Sequence, residues 1–148
     1  MNLSFNKMSI NDLNDLKDIL YTKFDEFWNY NILKEEIENQ NSYFIVAKSE
    51  NETIVGFAGI KVILDEADIM NIVVHKDFRN KKIGSQLLEQ LLLYSKQNNI
   101  KSINLEVNEL NSNAIALYKK FGFKQIAIRK KYYNDNDAII MKKEIETQ

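Results

Sequence analysis

The stretch from Asn71 to Leu88 holds the residues whose types and spacing best suit chemistry. A β-rich apolar run, Ile72-Val73-Val74, leads into a short basic loop carrying Arg79, Lys81 and Lys82; Gly84 and Ser85 then open a long amphipathic helix. The first backbone N–H groups of a helix have no internal partner, and the helix dipole is positive at that end. Loop cations strengthen the same field. Such a strand–loop–helix junction is an anion site, and phosphate or pyrophosphate is the expected ligand.

The neighbouring elements must hold that junction in place. Ser9 caps a helix with Ile10, Leu13, Leu16, Leu20 and Phe24 on its apolar face, a spacing that fits a 3.6-residue period. A second short helix is predicted at Ile32–Asn39, with Leu33 and Ile37 inward. Strands follow at Tyr43–Lys48, Thr53–Leu64 and Ala67–Val74. The clearest helix is Ile83–Asn99, striped by Leu87, Leu88, Leu91 and Tyr94. A strand at Lys101–Val107 precedes a helix at Asn111–Phe121 that Gly122 stops. Phe123–Tyr133 and Asp137–Lys143 form a final hairpin around Asn134-Asp135-Asn136. The order is α-α-β-β-β-α-β-α-β-β. Early hairpins pair antiparallel, whereas the strand–helix–strand unit from 67 to 107 needs a right-handed crossover and parallel strands. The fold class is α/β of the mixed α+β kind, with helices on both faces of the sheet. Where parallel strands part at their C-terminal ends a crevice opens, and both the basic loop and the segment 108–113 face it.

Composition removes several alternatives. At 148 residues the chain reads as one domain with room for a real core. A net charge of −1 gives no global reason to expect nucleic acid or a membrane surface, although basic residues cluster at 79–82 and 129–131. Cysteine is absent, which excludes disulfides, thiolate metal sites and a cysteine nucleophile. The single histidine, His75, rules out a multi-histidine metal centre and reads as a surface residue at a strand end. No apolar run approaches the ~20 residues of a membrane span, and the first residues lack a signal-peptide core, so cytoplasm is the expected location.

Several segments together carry a family resemblance: Ile63-Leu-Asp-Glu-Ala, Asn71-Ile-Val-Val, Arg79-x-x-x-Ile-Gly, Leu105-Glu-Val, Asn111-x-x-Ala-Ile-Ala-Leu-Tyr-x-x-Phe-Gly-Phe, Tyr132-Tyr133 and Asp137-Ala-Ile-Ile-Met. With these the chain resembles the GNAT superfamily of N-acetyltransferases, and within it the bacterial ribosomal-protein-alanine N-acetyltransferases. The similarity spans residues 43 to 143, and the first forty match only loosely. The resemblance implies a single N-acetyltransferase domain over 1–148, built on a mixed, mostly antiparallel sheet of about six to seven strands with a splayed parallel pair. It implies acetyl-CoA as donor, no metal, and a protein or peptide N-terminus as acceptor, with a small-subunit ribosomal protein the foremost candidate. No direct nucleic-acid or membrane partner is expected, and the oligomeric state reads as monomer or weak dimer.

The same resemblance assigns roles. The loop from Arg79 through Asn80, Lys81, Lys82, Ile83 and Gly84 to Ser85 would wrap the pyrophosphate. Backbone groups of Ile72, Val73 and Val74 would pair with the pantetheine arm and point an N–H at the acetyl carbonyl, an effect often worth ~3 kcal/mol. Asn111 would contact the cofactor arm. Glu106 matches the general base and Tyr118 the general acid. Tyr132 and Tyr133 would wall the peptide groove. Apart from the resemblance, Tyr30, near Trp28 between the first helices, is a further substrate candidate. The chemistry suits these types: an N-terminal amine has a pKa near 8, against ~10.4 for lysine, so a carboxylate removes its proton readily.

Each of these residues also has a plainer reading. Tyr118 fits a core aromatic beside Leu117 and Phe121, and Glu106 a solvated rim carboxylate. Arg79, Lys81 and Lys82 fit an ordinary surface run, and Asn111 a helix cap. Tyr132 and Tyr133 fit sheet aromatics, and Trp28 and Tyr30 fit packing. One departure from the family pattern stands out: Lys82 occupies the position of the loop's first glycine. A side chain held at left-handed dihedrals costs about 1–2 kcal/mol; Lys82 either bears that strain or takes an ordinary helical entry and adds a charge toward phosphate, and cofactor binding is expected to be weakened but retained. Two other functions stay open, an acetyltransferase of a small-molecule amine and a catalytically silent acyl-CoA-binding domain.

Overall fold

The computed structural model describes residues 2–24 and 29–146. Its elements are β1 (Ser4–Lys7), α1 (Ile10–Lys17), α2 (Leu20–Lys23), α3 (Tyr30–Glu38), β2 (Ser42–Lys48), β3 (Ile54–Ile63), β4 (Glu66–Val74), α4 (Ile83–Gln97), β5 (Ser102–Asn108), α5 (Ser112–Lys120), β6 (Lys124–Tyr133) and β7 (Asn136–Glu144), with a 3₁₀ turn at Lys76–Phe78. The strands form one sheet in the order β1-β2-β3-β4-β5-β7-β6. Among the described residues only β4 and β5 run parallel; every other pair is antiparallel. Among the described residues no helix is long and apolar enough to cross a membrane.

Strand alternation sorts the side chains into two cores. Phe44, Val46, Phe57 and Val73 meet Leu13, Leu16, Leu20 and Leu33 of α1–α3 on one face. Ile45, Ala47, Ala58, Ile103 and Leu105 meet Ile83, Leu87, Leu88 and Leu91 of α4 on the other, where α5 also packs. The sheet is therefore buried on both sides, and β2 and β3 read as nearly continuous apolar runs.

The parallel pairing is short. It covers only Glu66↔Ser102, Ala67↔Ile103 and Asp68↔Asn104. Its start is fastened by Ser102 Oγ donating to Glu66 Oε1 at 2.8 Å and by Lys142 Nζ 3.4 Å from the same oxygen. Beyond Asp68 the strands part. A register shift against β3, between Gly59 and Ile60, falls at Ile69–Asn71 and bends β4 away. The crevice expected from topology is this gap.

Four expectations need correction. The first strand, Ser4–Lys7, was not foreseen: with only Phe5 half-buried it has no clean alternation, and it joins the sheet through backbone pairing with β2. The first helix is two pieces, because the chain breaks regular pairing at Asp18-Ile19. Ile10 is exposed rather than inward, since it occupies the first helical position beside the Ser9 cap. His75 is buried, not on the surface: its ring lies edge-on to Phe24 and Phe78, and its Nδ1 accepts the Asp77 N–H at 3.0 Å. Loss of hydration pushes its pKa down, and Lys23 and Arg79 push the same way against Asp77.

The α1 end is fixed by a reciprocal cap. Ser9 Oγ accepts the Asp12 N–H, and Asp12 Oδ2 accepts the Ser9 N–H at 2.9 Å. Asp12 also meets Lys48 Nζ at 2.6 Å with its side chain almost fully buried. Burial alone would raise the Asp12 pKa, but the Lys48 contact and the Ser9 hydrogen bonds outweigh it and hold the carboxyl below its usual value. A depressed folded-state pKa stabilises the fold above the unfolded value and loses that contribution as pH falls through the folded value. Asp12→Asn is thus expected to cost about 3 kcal/mol in urea unfolding at pH 7, with the deficit against wild type shrinking below pH 4. An equal deficit at pH 7 and pH 3 would contradict this.

Candidate active site

Two clefts flank the gap between β4 and β5. The first, of about 550 Å³, lies where α4 and α5 begin. Ile72, Val73 and Val74, the loop residues Arg79, Asn80, Lys82, Ile83, Gly84 and Ser85, and Asn111, Asn113 and Leu117 line it. Past Asp68 no β5 partner takes the backbone groups on the adjacent edge of β4. Arg79 Nε and Nη2 both reach the Val74 carbonyl at 3.4 Å, which ties the loop to the strand end. The N-cap residue of α4, Lys82, makes no side-chain capping hydrogen bond, so the helix start lacks the usual internal cap. A Cβ built at Gly84 would meet nothing closer than Val74 Cγ2 at 3.9 Å, so glycine there leaves the cleft floor bare.

Lys82 is the informative departure. It does not take the ordinary helical entry: φ is +62° and ψ is +23°, left-handed, and Asn80 is left-handed as well with φ +63°. The loop therefore keeps a glycine-type backbone with a lysine in it, and Lys82 is among the residues that line the cleft. Relief of the left-handed strain predicts that Lys82→Gly stabilises the fold by about 1 kcal/mol, measured by thermal or urea unfolding. Lys82→Ala keeps the strain and loses the charge, and is expected to raise the KM for acetyl-CoA about threefold at low salt, with the difference fading as salt rises. A Lys82→Ala KM equal to wild type at low salt would remove the phosphate contact.

The second cleft, of about 630 Å³, lies on the opposite side of the sheet from α4 and α5 and is lined by Asp68, Ile69, Met70, Asn104, Leu105, Glu106, Arg129, Tyr132 and Ile140. Asp68, Asn104 and Glu106 alternate with the buried Ala67, Ile103, Leu105 and Val107, so their side chains share the face away from α4. Glu106 Oε1 lies 3.0 Å from Arg129 Nη2, its one polar partner among the described residues. The Arg129 guanidinium sits 4.8 Å from the centre of the Tyr132 ring. Asn71, at the bend in β4, has both side-chain amide atoms buried with no partner among the described residues.

Most of the anticipated residues lie at these clefts, and some do not. Lys81 stays out of the first cleft: its Nζ rests 5.6 Å from the Phe78 ring centre. Asn111 caps α5 by accepting the Ala114 N–H at 3.2 Å and also lines the first cleft, so its two readings coexist. Tyr118 is half-buried on α5, next to the cleft-lining Leu117, with its ring edge-on to Phe123 at 5.7 Å. Tyr30 packs against the first helices: its N–H donates to Tyr21 Oη at 2.8 Å, and Lys17 lies over its ring. Trp28 and the side chain of Tyr133 lie outside the described residues. Arg129 and Asn71 were missed as site residues. The basic cluster at 129–131 beside Tyr132 was the available signal for Arg129; Asn71 reads from sequence as one more strand residue.

A cationic helix start and a second, carboxylate-bearing cleft across a strand splay match the sequence family that residues 13–123 fit, the acetyltransferase (GNAT) family. The chain belongs to that family. It is an N-acetyltransferase by that membership, and the family uses acetyl-CoA. A Bacillus subtilis protein provisionally named a ribosomal protein bS18-alanine N-acetyltransferase is 31% identical over 137 residues, 90% of each chain. The Salmonella typhimurium ribosomal protein bS18-alanine N-acetyltransferase is 37% identical over 108 residues, 70% of this chain and 73% of that one. The crystal structure of the Escherichia coli ribosomal-protein-S18-alanine N-acetyltransferase superposes with a TM-score of 0.89 at 28% identity, covering 99% of this chain and 96% of the other. The first cleft fits the cofactor: it offers a diphosphate the start of α4, the bare Gly84, Arg79 and Lys82, and it offers a pantetheine arm a stretch of β4 that β5 does not pair.

Proposed function

We propose that this enzyme is an Nα-acetyltransferase that acts on a protein N-terminus, foremost the N-terminal alanine of a small-subunit ribosomal protein. The observation that carries this reading is the position of Glu106, a carboxylate in the cleft across the splay from the cationic loop. Bound acetyl-CoA supplies an acetyl thioester. Arg79, Lys82 and the first N–H groups of α4 hold its diphosphate, and the stretch Ile72–Val74 of β4, which β5 does not pair, orients its arm. Glu106 attracts the acceptor's ammonium and takes its proton, directly or through water. Tyr118 returns a proton to the departing thiolate. Tyr132 walls the peptide path. The acceptor names of the bacterial relatives support the substrate class.

The second cleft is not strongly acidic, because Arg129 offsets Glu106 beside Asp68. That balance disfavours a polyamine. The left-handed Lys82 preserves the loop backbone, which disfavours a silent domain. A thiol-release assay with acetyl-CoA separates the readings. Turnover on an Ala-initiated peptide and none on spermidine is expected. Turnover on spermidine alone would overturn the proposal, and cofactor binding without turnover on any amine would favour the silent domain.

A further inference from the structure

The cleft that holds Glu106 is shaped by an irregular strand. In a regular strand residues three apart point to opposite faces, so Arg129 and Tyr132 should not meet. They do meet, with the guanidinium over the ring. The cause is local: β6 pairs Arg129↔Ala138 and then Tyr133↔Asn136, so four steps on β6 match two on β7. The surplus residues form a bulge, and Lys131 within it is left-handed with φ +52°. A lysine held there needs fastening. Asp137 provides it: Oδ1 accepts the Lys131 N–H at 2.9 Å, and Oδ2 lies 3.5 Å from Lys130 Nζ. The Asp137 backbone is held in turn, its N–H donating to Glu109 Oε2 just past the end of β5. The Lys131 hydrogen bond keeps the Asp137 carboxyl below its usual pKa.

We propose that this Asp137-fastened bulge serves to aim Arg129 at Glu106, and that Arg129 is a positioning residue for the acetyl-transfer reaction. The guanidinium is steadied from behind by Tyr132 and engages one carboxylate oxygen, Oε1. The second oxygen keeps its lone pairs for the incoming amine. An exposed pair of this kind holds weakly, so what Arg129 contributes is direction more than fold stability. The inference rests on Glu106 being the group that receives the amine's proton.

The test is steady-state kinetics with acetyl-CoA and an Ala-initiated peptide. Arg129→Gln is expected to lower kcat about tenfold with the KM for acetyl-CoA unchanged within twofold. Asp137→Ala should reproduce that loss, while Asp137→Asn, which keeps an oxygen for the Lys131 N–H, should stay within threefold of wild type. The Arg129→Gln/Asp137→Ala double variant should be no slower than Arg129→Gln alone. In a Glu106→Gln background Arg129→Gln should cost nothing further. Wild-type kcat in Arg129→Gln, or losses that multiply in either double variant, would overturn the inference. If Asp137→Ala does not fold, the Arg129→Gln turnover and the Glu106→Gln background decide alone. Full activity in Glu106→Gln would remove the base reading itself. A slow Glu106→Gln beside a wild-type Arg129→Gln would remove only the role given to Arg129.

Discussion

Tyr118→Phe is expected to lower kcat on an Ala-initiated peptide about a hundredfold and to leave acetyl-CoA affinity unchanged. The substitution takes away one hydroxyl and keeps the ring, so the edge-on contact with Phe123 survives. Leu117, which lines the first cleft, and the Asn111 cap are likewise untouched. On the proposed mechanism, what disappears is the proton that the thiolate needs as it leaves. Titration calorimetry with coenzyme A beside initial-rate measurements separates the two effects. Full turnover in Tyr118→Phe would strip the residue of its acid role and return it to the core-aromatic reading. A matched loss of cofactor affinity would show instead that the hydroxyl shapes the cofactor cleft.

Glu106→Gln is expected to cost about a hundredfold in kcat/KM for the peptide near pH 7, with the deficit narrowing toward pH 9. Without the carboxylate the acceptor must lose its proton to solvent before it can attack. An N-terminal amine with a pKa near 8 is about one-tenth neutral at pH 7 and mostly neutral at pH 9. The variant's rate profile should therefore lie at higher pH than that of wild type. Glutamine preserves the shape of the side chain at the end of β5 and removes only its charge and basicity. A profile that does not move would mean that the proton leaves by a route that avoids Glu106.

Much of this architecture was legible in the residues. The run Ile72–Val74, the cations behind it and Gly84 at the head of α4 locate the first cleft because a strand end and a helix start impose their own electrostatics. The crossover between β4 and β5 follows from chain direction alone, and α5 from the Asn111 and Gly122 that bound it. Gly122, with φ +93°, takes the backbone conformation for which glycine is suited after a helix. Other features depend on partners remote in sequence. Ser4–Lys7 becomes a strand only because β2 offers an open edge. His75 is buried because Phe24 and Phe78 close over it from two different elements. Lys82 adopts left-handed dihedrals although its own preference is against them, which shows the surrounding loop dictating the backbone. The approach of Arg129 to Glu106 depends on a bulge in β6, and Asp137 across the hairpin fastens that bulge. Spacing along one strand gives no sign of it.

The most direct measurement is a crystal structure with coenzyme A joined through an acetyl linker to an alanine-initiated peptide. The expected result has the diphosphate on the first N–H groups of α4 beside Arg79 and Lys82, the linker passing between β4 and β5, and the peptide nitrogen beside Glu106 in the cleft of Asp68, Arg129 and Tyr132. A conjugate whose peptide lies on the α4 side of the sheet, or whose diphosphate sits away from residues 79–85, would contradict it.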